Sequence, residues 1–308
     1  MQQQALVAGI DIGGTNVALG LVDRQGEIIW KGSFPTKQFD DFNLLVSHAT
    51  SILKTAIQKI PNAFLLGCGV GAPNGNYYSG SIEYAPNLVW KGIVPVAELF
   101  TKALGVKSIV TNDANAAALG EKLYGAAQDL NDFILITLGT GLGSGLVVQG
   151  QLVYGHDGFA GELGHVIVEV DGRLCGCGRS GCLETYCSAT GIVKTYNELG
   201  NTPTSVNAHT VYQLAKEGNQ QALQAFELTA QRLGLALANA VAYTSPQAII
   251  LFGGLARAGD LLMKPTQKHF EANLHNLYRG KVKLLTSTLN ESDAAILGAA
   301  SLIWQHEK

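Results

Sequence analysis

The strongest constraint in this 308-residue chain is a pattern that occurs twice. Residues 11–30, DIGGTNVALGLVDRQGEIIW, and residues 137–155, TLGTGLGSGLVVQGQLVYG, follow the same plan. Each reads as a strand, a glycine turn containing Thr, an apolar strand, a polar turn with Gly, and a further strand. Two Gly-rich hairpins can look alike by coincidence. Read as a duplication, the pattern predicts two lobes, each presenting a glycine turn toward a shared cleft.

The segments around these units support an α/β layering. Ala5–Ile10, Val17–Asp23 and Glu27–Ser33 are expected strands, followed by a helix over Asp41–Ile60, whose apolar residues keep helical spacing and which stops before Pro61. A buried strand Phe64–Val70, a short helix Pro95–Leu104 and a strand Ser108–Thr111 come next. The second half is expected to place strands at Phe133–Leu138, Leu146–Val148 and Gln151–Tyr154, with Gly139–Gly145 as the turn. A strand His165–Val170, helices Glu184–Leu199, His209–Lys216 and Gln220–Tyr243, and a strand Ala248–Phe252 follow. Helix Asp260–Phe270, strand Val282–Thr286 and a closing helix Ser292–Gln305 complete the reading.

Glycine is abundant, 37 residues against only 8 Pro, which excludes linker-like and collagen-like classes. The excess implies either many sharp turns or backbone that must approach a ligand closely. In Asp11-Ile12-Gly13-Gly14-Thr15-Asn16, glycines let successive N–H groups point at one anion, Thr15 adds a hydroxyl, and Asp11 is placed to hold Mg²⁺ beside phosphates. A plain Gly-Gly hairpin is the competing reading. Gly139-Thr140-Gly141-Leu142-Gly143-Ser144-Gly145 makes the same offer from the second half. It lacks the Lys of a Walker A loop, and a strand rather than a helix follows it. Gly253-Gly254, after a strand, is a third candidate for close approach to a nucleoside.

Five cysteines, three of them within eight residues, form a second constellation. His165, Cys175, Cys177 and Cys182 make a complete Cys₃His set of the kind that closes around structural Zn²⁺, and Gly176, Gly178 and Gly181 allow the tight loop. Reactive thiols or a disulfide are the alternatives, but a Cys-x-Cys disulfide is strained. Cys68 and Cys187 are read as packing residues. His165 can bind metal through one nitrogen and face a ligand with the other.

Net charge is −3 with no basic block, which argues against nucleic-acid or anionic-membrane binding. Met1–Val7 has no basic region or cleavage site, and no apolar run reaches the ~18 residues of a membrane span. A cytoplasmic location is expected.

The set DIGGT, TNDANAAALGE, LGTGLGSG, GFAGELGH and CGCGRSGCLE resembles the ROK family of sugar kinases and related repressors, from about Gly9 to the C-terminus. The resemblance implies an actin/hexokinase-type (RNase-H-like) duplicated two-lobed fold with ATP in the cleft. Its expected lobes are 1–113 with 291–308, and 114–290. It implies that Asp113, otherwise readable as a helix N-cap, is the base that deprotonates the primary hydroxyl of a hexose. Asn87, Asn112, Glu162, His165 and Glu184 are implied sugar contacts, with zinc shaping their loop. Asn74, where the family form has Gly after Pro73, departs from the pattern. Glucose is the expected substrate, with N-acetylglucosamine, N-acetylmannosamine, fructose and allose as alternatives. Family repressors carry a helix-turn-helix ahead of the first glycine turn, and only eight residues precede Gly9 here, so a DNA-binding role is disfavoured. A sugar sensor without activity is the third reading, and a homodimer or tetramer is expected.

Overall fold

The fold is described from a computed structural model covering residues 3–200 and 205–307. Met1 and Gln2, the start of the segment assessed above as a leader, lie outside the described residues. The chain divides into two compact units. One runs to Asp129 and regains Leu152–Ala160 and the residues from Thr288 onward; the other comprises Leu130–Gln151 and Gly161–Ser287.

In the first unit, β1 (Gln4–Ile12), β2 (Asn16–Val22) and β3 (Ile28–Pro35) form an antiparallel run. They are followed by α1 (Phe42–Gln58) and β4 (Ala63–Gly71). Next come β5 (Gly75–Asn76), β6 (Ser81–Glu83) and β7 (Ile93–Val94), then α2 (Val96–Leu104), β8 (Ser108–Thr111) and α3 (Asp113–Tyr124). The main sheet has the order β3-β2-β1-β4-β8, with β4 parallel to β1 and β8 parallel to β4. Its central strands are apolar on both faces, as a sheet covered on both sides requires. Leu6, Ala8 and Ile10 pack with Leu45, Leu53 and Phe100 of α1 and α2, while Val7 joins the opposite layer. The small sheet β5-β6-β7 was not expected; its strands are too short to carry a period-2 signal.

The second unit repeats the plan. β9 (Phe133–Leu138), β10 (Leu142–Val148) and β11 (Gln151–Leu152) are followed by α4 (Ala189–Gly200), α5 (Ala208–Lys216) and α6 (Gln220–Thr244). β12 (Ala248–Phe252), α7 (Asp260–Asn273) and β13 (Lys283–Thr286) complete it, and α8 (Glu291–Trp304) returns to the first unit. The sheet order is β11-β10-β9-β12-β13, with β12 parallel to β9 and β13 parallel to β12. Element for element this is the order of the first sheet, as the repeated pattern predicts.

Helix α8 explains a large part of the glycine excess in a way the sequence reading did not anticipate. It lies on β1, β2 and β4, and glycines stand where it comes closest to them. A methyl added at Gly9 would run into the Ile296 carbonyl, one at Gly69 into the Ala299 carbonyl, and one at Gly20 into the Ile296 side chain. On the flank, a methyl on Gly120 of α3 would lie 3.1 Å from the Gly298 Cα of α8. These glycines are neither turns nor ligand contacts. They are the bed of a helix.

Four expectations are corrected. The segment after His165 is not a strand: Leu163–His165 is a 3₁₀ turn, and the chain beyond it is held by backbone bonds to the cysteine loop, Val168 N–H to Gly181 O and Leu183 N–H to Val166 O, both 2.9 Å. The helix expected from Glu184 begins at Ala189, because Leu183–Thr185 forms its own 3₁₀ turn. The second glycine turn is only Gly139–Gly141; Gly143 and Gly145 lie in β10, opposite Thr137 and Leu135. The boundary expected at residue 114 falls instead after Asp129, since α3 packs against α8.

Candidate active site

In the first unit, β1 and β4 run parallel with Asp11 opposite Gly71, and α3 starts two residues beyond β8. This brings two carboxylates to one place. A methyl built on Gly71 would sit 3.6 Å from Asp11 Oδ1 and 3.8 Å from the Asp113 Cα. Burial first, and the Asp113 charge second, push the Asp11 carboxyl up to about 7. Asp113 is also raised by the protein around it, against N–H donation from Ala114, although one side of the residue stays open to solvent. Asn112, not Asp113, caps α3: its Oδ1 accepts the Ala114 N–H at 2.8 Å, and Asp113 Oδ1 accepts the same N–H at 2.8 Å. Asp113 thus shares the Ala114 N–H with the cap residue without being the cap, and a carboxylate raised in basicity is suited to accept a proton.

The two glycine turns are built alike. In the first, Gly13 N–H bonds the Asn16 carbonyl, and Thr36 pins the turn from outside: its hydroxyl donates to Gly13 O at 2.6 Å and its N–H to Thr15 O at 2.9 Å. In the second, Gly139 N–H bonds Gly141 O, while Ala189 N–H and the Thr190 hydroxyl of α4 hold the carbonyls of Gly139 and Thr140. Among the described residues the N–H groups of Gly14, Thr15, Thr140 and Gly141 have no protein acceptor. Paired free donors in each turn suit an anion. Asn87 lies against the first turn, its carbonyl 3.0 Å from where a Gly14 methyl would be. Gly253 has φ +99°, and its missing side chain leaves room for the Leu138 backbone; Gly254 is exposed. Neither Thr36 nor Thr190 was singled out from sequence, because anchoring Thr residues carry no periodic or motif signal.

In the second unit the four expected metal ligands come together, their donor atoms all within 4.8 Å of one another. Cys177 and Cys182 sulfurs are 3.6 Å apart, and Cys175 Sγ is 3.7 Å from His165 Nδ1. Tetrahedral bonds of ~2.3 Å put sulfurs about 3.8 Å apart, so the set fits a four-coordinate thiophilic ion and is far from a disulfide. The loop depends on Gly178 (φ +86°) and Gly181 (φ +81°), and the Arg179 guanidinium ties it to the His165 carbonyl at 2.7 Å. The N–H of Arg179 draws the Cys177 thiol down to about 6, whereas burial pushes Cys175 up to about 12. Beneath the loop, the guanidinium groups of Arg173 and Arg232 both stack on the Tyr186 ring, at 4.4 and 4.6 Å from its centroid, a support not foreseen from sequence. Cys68 and Cys187 are fully buried, their thiols pushed up to about 12 by burial, as packing residues would be.

Glu184 connects the cysteine loop to the second turn. Its Oε2 accepts the Leu142 N–H at 3.0 Å and its Oε1 lies 3.7 Å from Cys175 Sγ; a methyl on Gly141 would strike the same carboxylate. Gly141 is therefore required by Glu184 as much as by any phosphate. Glu162 Oε2 lies 3.9 Å from His165 Nε2, so the imidazole turns Nδ1 to the thiols and Nε2 to a carboxylate.

The chain is 34% identical to a glucokinase of Halalkalibacterium halodurans, covering 97% of this chain and 95% of that one. It is 33% identical to a glucokinase of Thermotoga maritima, covering 96% of each. A ROK family glucokinase from Streptomyces griseus, solved with glucose and AMPPNP, superposes with a TM-score of 0.82 at 31% identity, covering 97% of this chain and 99% of that one. The doubled α/β topology is accordingly of the actin/hexokinase type. Residues 7–306 match the family as a whole, and this protein belongs to the ROK family.

Proposed function

We propose that the protein transfers the γ-phosphoryl group of ATP to the primary 6-hydroxyl of a hexose, with glucose the preferred acceptor. The observation that carries this reading is the Asp113 carboxyl, raised in basicity at the first residue of α3 and not used as its cap. The similarity to glucokinases over nearly the whole chain supports it.

In the reaction the hydroxyl oxygen bonds to the γ-phosphorus as the bond to the bridging oxygen of ADP breaks, and Asp113 takes the hydroxyl proton. The N–H groups of Gly14, Thr15, Thr140 and Gly141, in turns opened by Gly13 and Gly139, bind phosphate oxygens with the Thr15 and Thr140 hydroxyls; Gly143, Gly253 and Gly254 keep side chains away from the nucleotide. Asp11 would hold Mg²⁺, which when bound neutralises phosphate charge. Asn87, Asn112, Glu162, His165 and Glu184 orient the hexose hydroxyls, carboxylates being able to accept two hydroxyl bonds each. His165, Cys175, Cys177 and Cys182 would hold one Zn²⁺, which fixes the loop and takes no part in proton or phosphoryl transfer.

The protein acts in the cytoplasm as a homodimer or homotetramer in this reading; among the described residues no helix is long and apolar enough to cross a membrane. A coupled assay of ADP release over glucose, N-acetylglucosamine, N-acetylmannosamine, fructose and allose tests it. Glucose should give the highest kcat/KM. Turnover with none of the five would refute the kinase reading, and a better acceptor than glucose would refute the preference.

A further inference from the structure

The turn that carries Glu162 is held in an unusual way. The segment Gly161-Glu162-Leu163-Gly164-His165 crosses one face of β10, resting on residues 142 and 144. Gly164 fits against the Leu142 carbonyl, which leaves no room for a methyl. Ser144 is buried, and its hydroxyl makes two bonds: it donates to the Gly161 carbonyl and accepts the Leu163 N–H at 3.0 Å. One side chain thus clamps the backbone immediately before and immediately after Glu162.

Packing reinforces that clamp on one side only, where Gly164 meets Leu142 and Leu163 meets the core. Behind the turn is a cavity of about 270 Å³, bounded by Ser144, Gly161, Glu162 and Leu163 and by apolar side chains such as Ile134, Leu146, Val166 and Ala240. A turn packed on every side resists displacement through many weak contacts, whereas one with an open apolar space behind it forfeits them. Gly161, with φ +93°, adds no stiffness of its own. Backbone bonds close the turn on itself, Leu163 N–H to Gly161 O at 2.9 Å and His165 N–H to Glu162 O at 3.1 Å, and the two Ser144 hydrogen bonds tie it to β10 on either side of Glu162.

We infer that Ser144 is a positioning residue for hexose recognition: it sets Glu162, and through the turn His165, without touching the sugar itself. The inference rests on the hexose-kinase reading above. Substitution by Thr and Val separates hydroxyl from shape, because the two are nearly isosteric and the added methyl has the adjacent cavity to enter. Ser144→Val should raise the glucose KM about tenfold, equivalent to about 1.4 kcal/mol, while leaving the ATP KM within about twofold and bound zinc per chain unchanged. Ser144→Thr should stay close to the unsubstituted protein. Amide exchange at Leu163, followed by mass spectrometry, should speed up several-fold in the Val variant only, since its N–H then loses the Ser144 hydroxyl and keeps only the Gly161 carbonyl within its own turn, at 2.9 Å.

Equal glucose KM in the Thr and Val variants, or glucose and ATP KM rising together, would overturn the assignment. If the unsubstituted protein phosphorylates no hexose, the kinase reading falls. The Thr–Val exchange comparison then still decides whether Ser144 holds the turn, and equal exchange in the two variants overturns that as well.

Discussion

Replacing Asp11 by Asn should stabilise the protein, and should do so only as the pH rises. In the unfolded chain an Asp carboxyl titrates near its ordinary value of ~3.9. In the folded protein burial and the neighbouring Asp113 charge hold Asp11 up at about 7. Between those values the native state binds more protons than the unfolded state, so stability falls as pH increases. The penalty is absent below the unfolded value and complete above the folded one. Ionising a carboxyl held so far above its unfolded value costs at most about 4 kcal/mol, and the partial solvent access of Asp11 lowers this to about 2–3 kcal/mol. Asn keeps the shape and cannot ionise, so its pH profile should be flatter.

Thermal unfolding of both proteins from pH 4.5 to 8 measures the difference. For units of this size about 1 kcal/mol corresponds to roughly 2–4 °C, so Asp11→Asn should unfold about 5–10 °C higher at pH 8 and within about 2 °C at pH 4.5. Saturating Mg²⁺ should narrow the gap, because a cation beside the carboxylates removes the charge penalty. A difference in Tm that does not vary with pH, or a variant less stable than the parent at pH 8, would refute the argument that a half-buried Asp11 carboxyl shares this corner with the Asp113 charge.

Other outcomes follow from the same geometry. Asp113→Asn should lower kcat by about 10²–10⁴ in the ADP-release assay with little change in Tm, and near-normal turnover would exclude it as the base. Removing metal with a chelator should raise the hexose KM more than the ATP KM, because His165 and Glu184 both belong to or abut the thiolate set; an unchanged KM in demonstrably metal-free protein would break that link. Gly69→Ala should cost about 1–3 kcal/mol in denaturant unfolding, since the methyl meets the backbone of α8, and a neutral result would mean that the helix can shift on its bed.

Much of this architecture was legible from the chain. The repeated strand–turn–strand pattern carried both sheets, because a β-hairpin with a glycine turn is a local structure encoded by neighbouring residues. The Cys₃His set was legible for a similar reason, its three thiols lying within eight residues. What was not legible depends on partners distant in sequence. Val166–Val170 has strand-like composition, yet its backbone bonds go to Gly181 and Leu183 of the cysteine loop instead of a sheet neighbour. Asp113 reads as a cap until Asn112 is seen to take that role. Gly9, Gly20 and Gly69 look in sequence like any strand glycine, and only the arrival of α8 shows why no side chain is allowed there. Ser144 sat in plain view within a glycine-rich motif, but its significance lies in a turn that is 17 residues away.

The bed beneath α8 has a consequence for how the protein is made. Glu291, the first residue of α8, leaves the ribosome 180 residues after Thr111, the last residue of the sheet it covers. At about 5–20 residues per second, that interval is roughly 10–35 s. Throughout it, the face of β1 and β4 that carries Gly9, Gly67, Gly69 and the apolar Val7 lacks the helix that covers it. A nascent chain in that condition is a natural client for chaperones, and pausing or truncation before residue 291 would leave it there indefinitely. The unit whose synthesis begins first can be completed only after nearly all of the other has been translated.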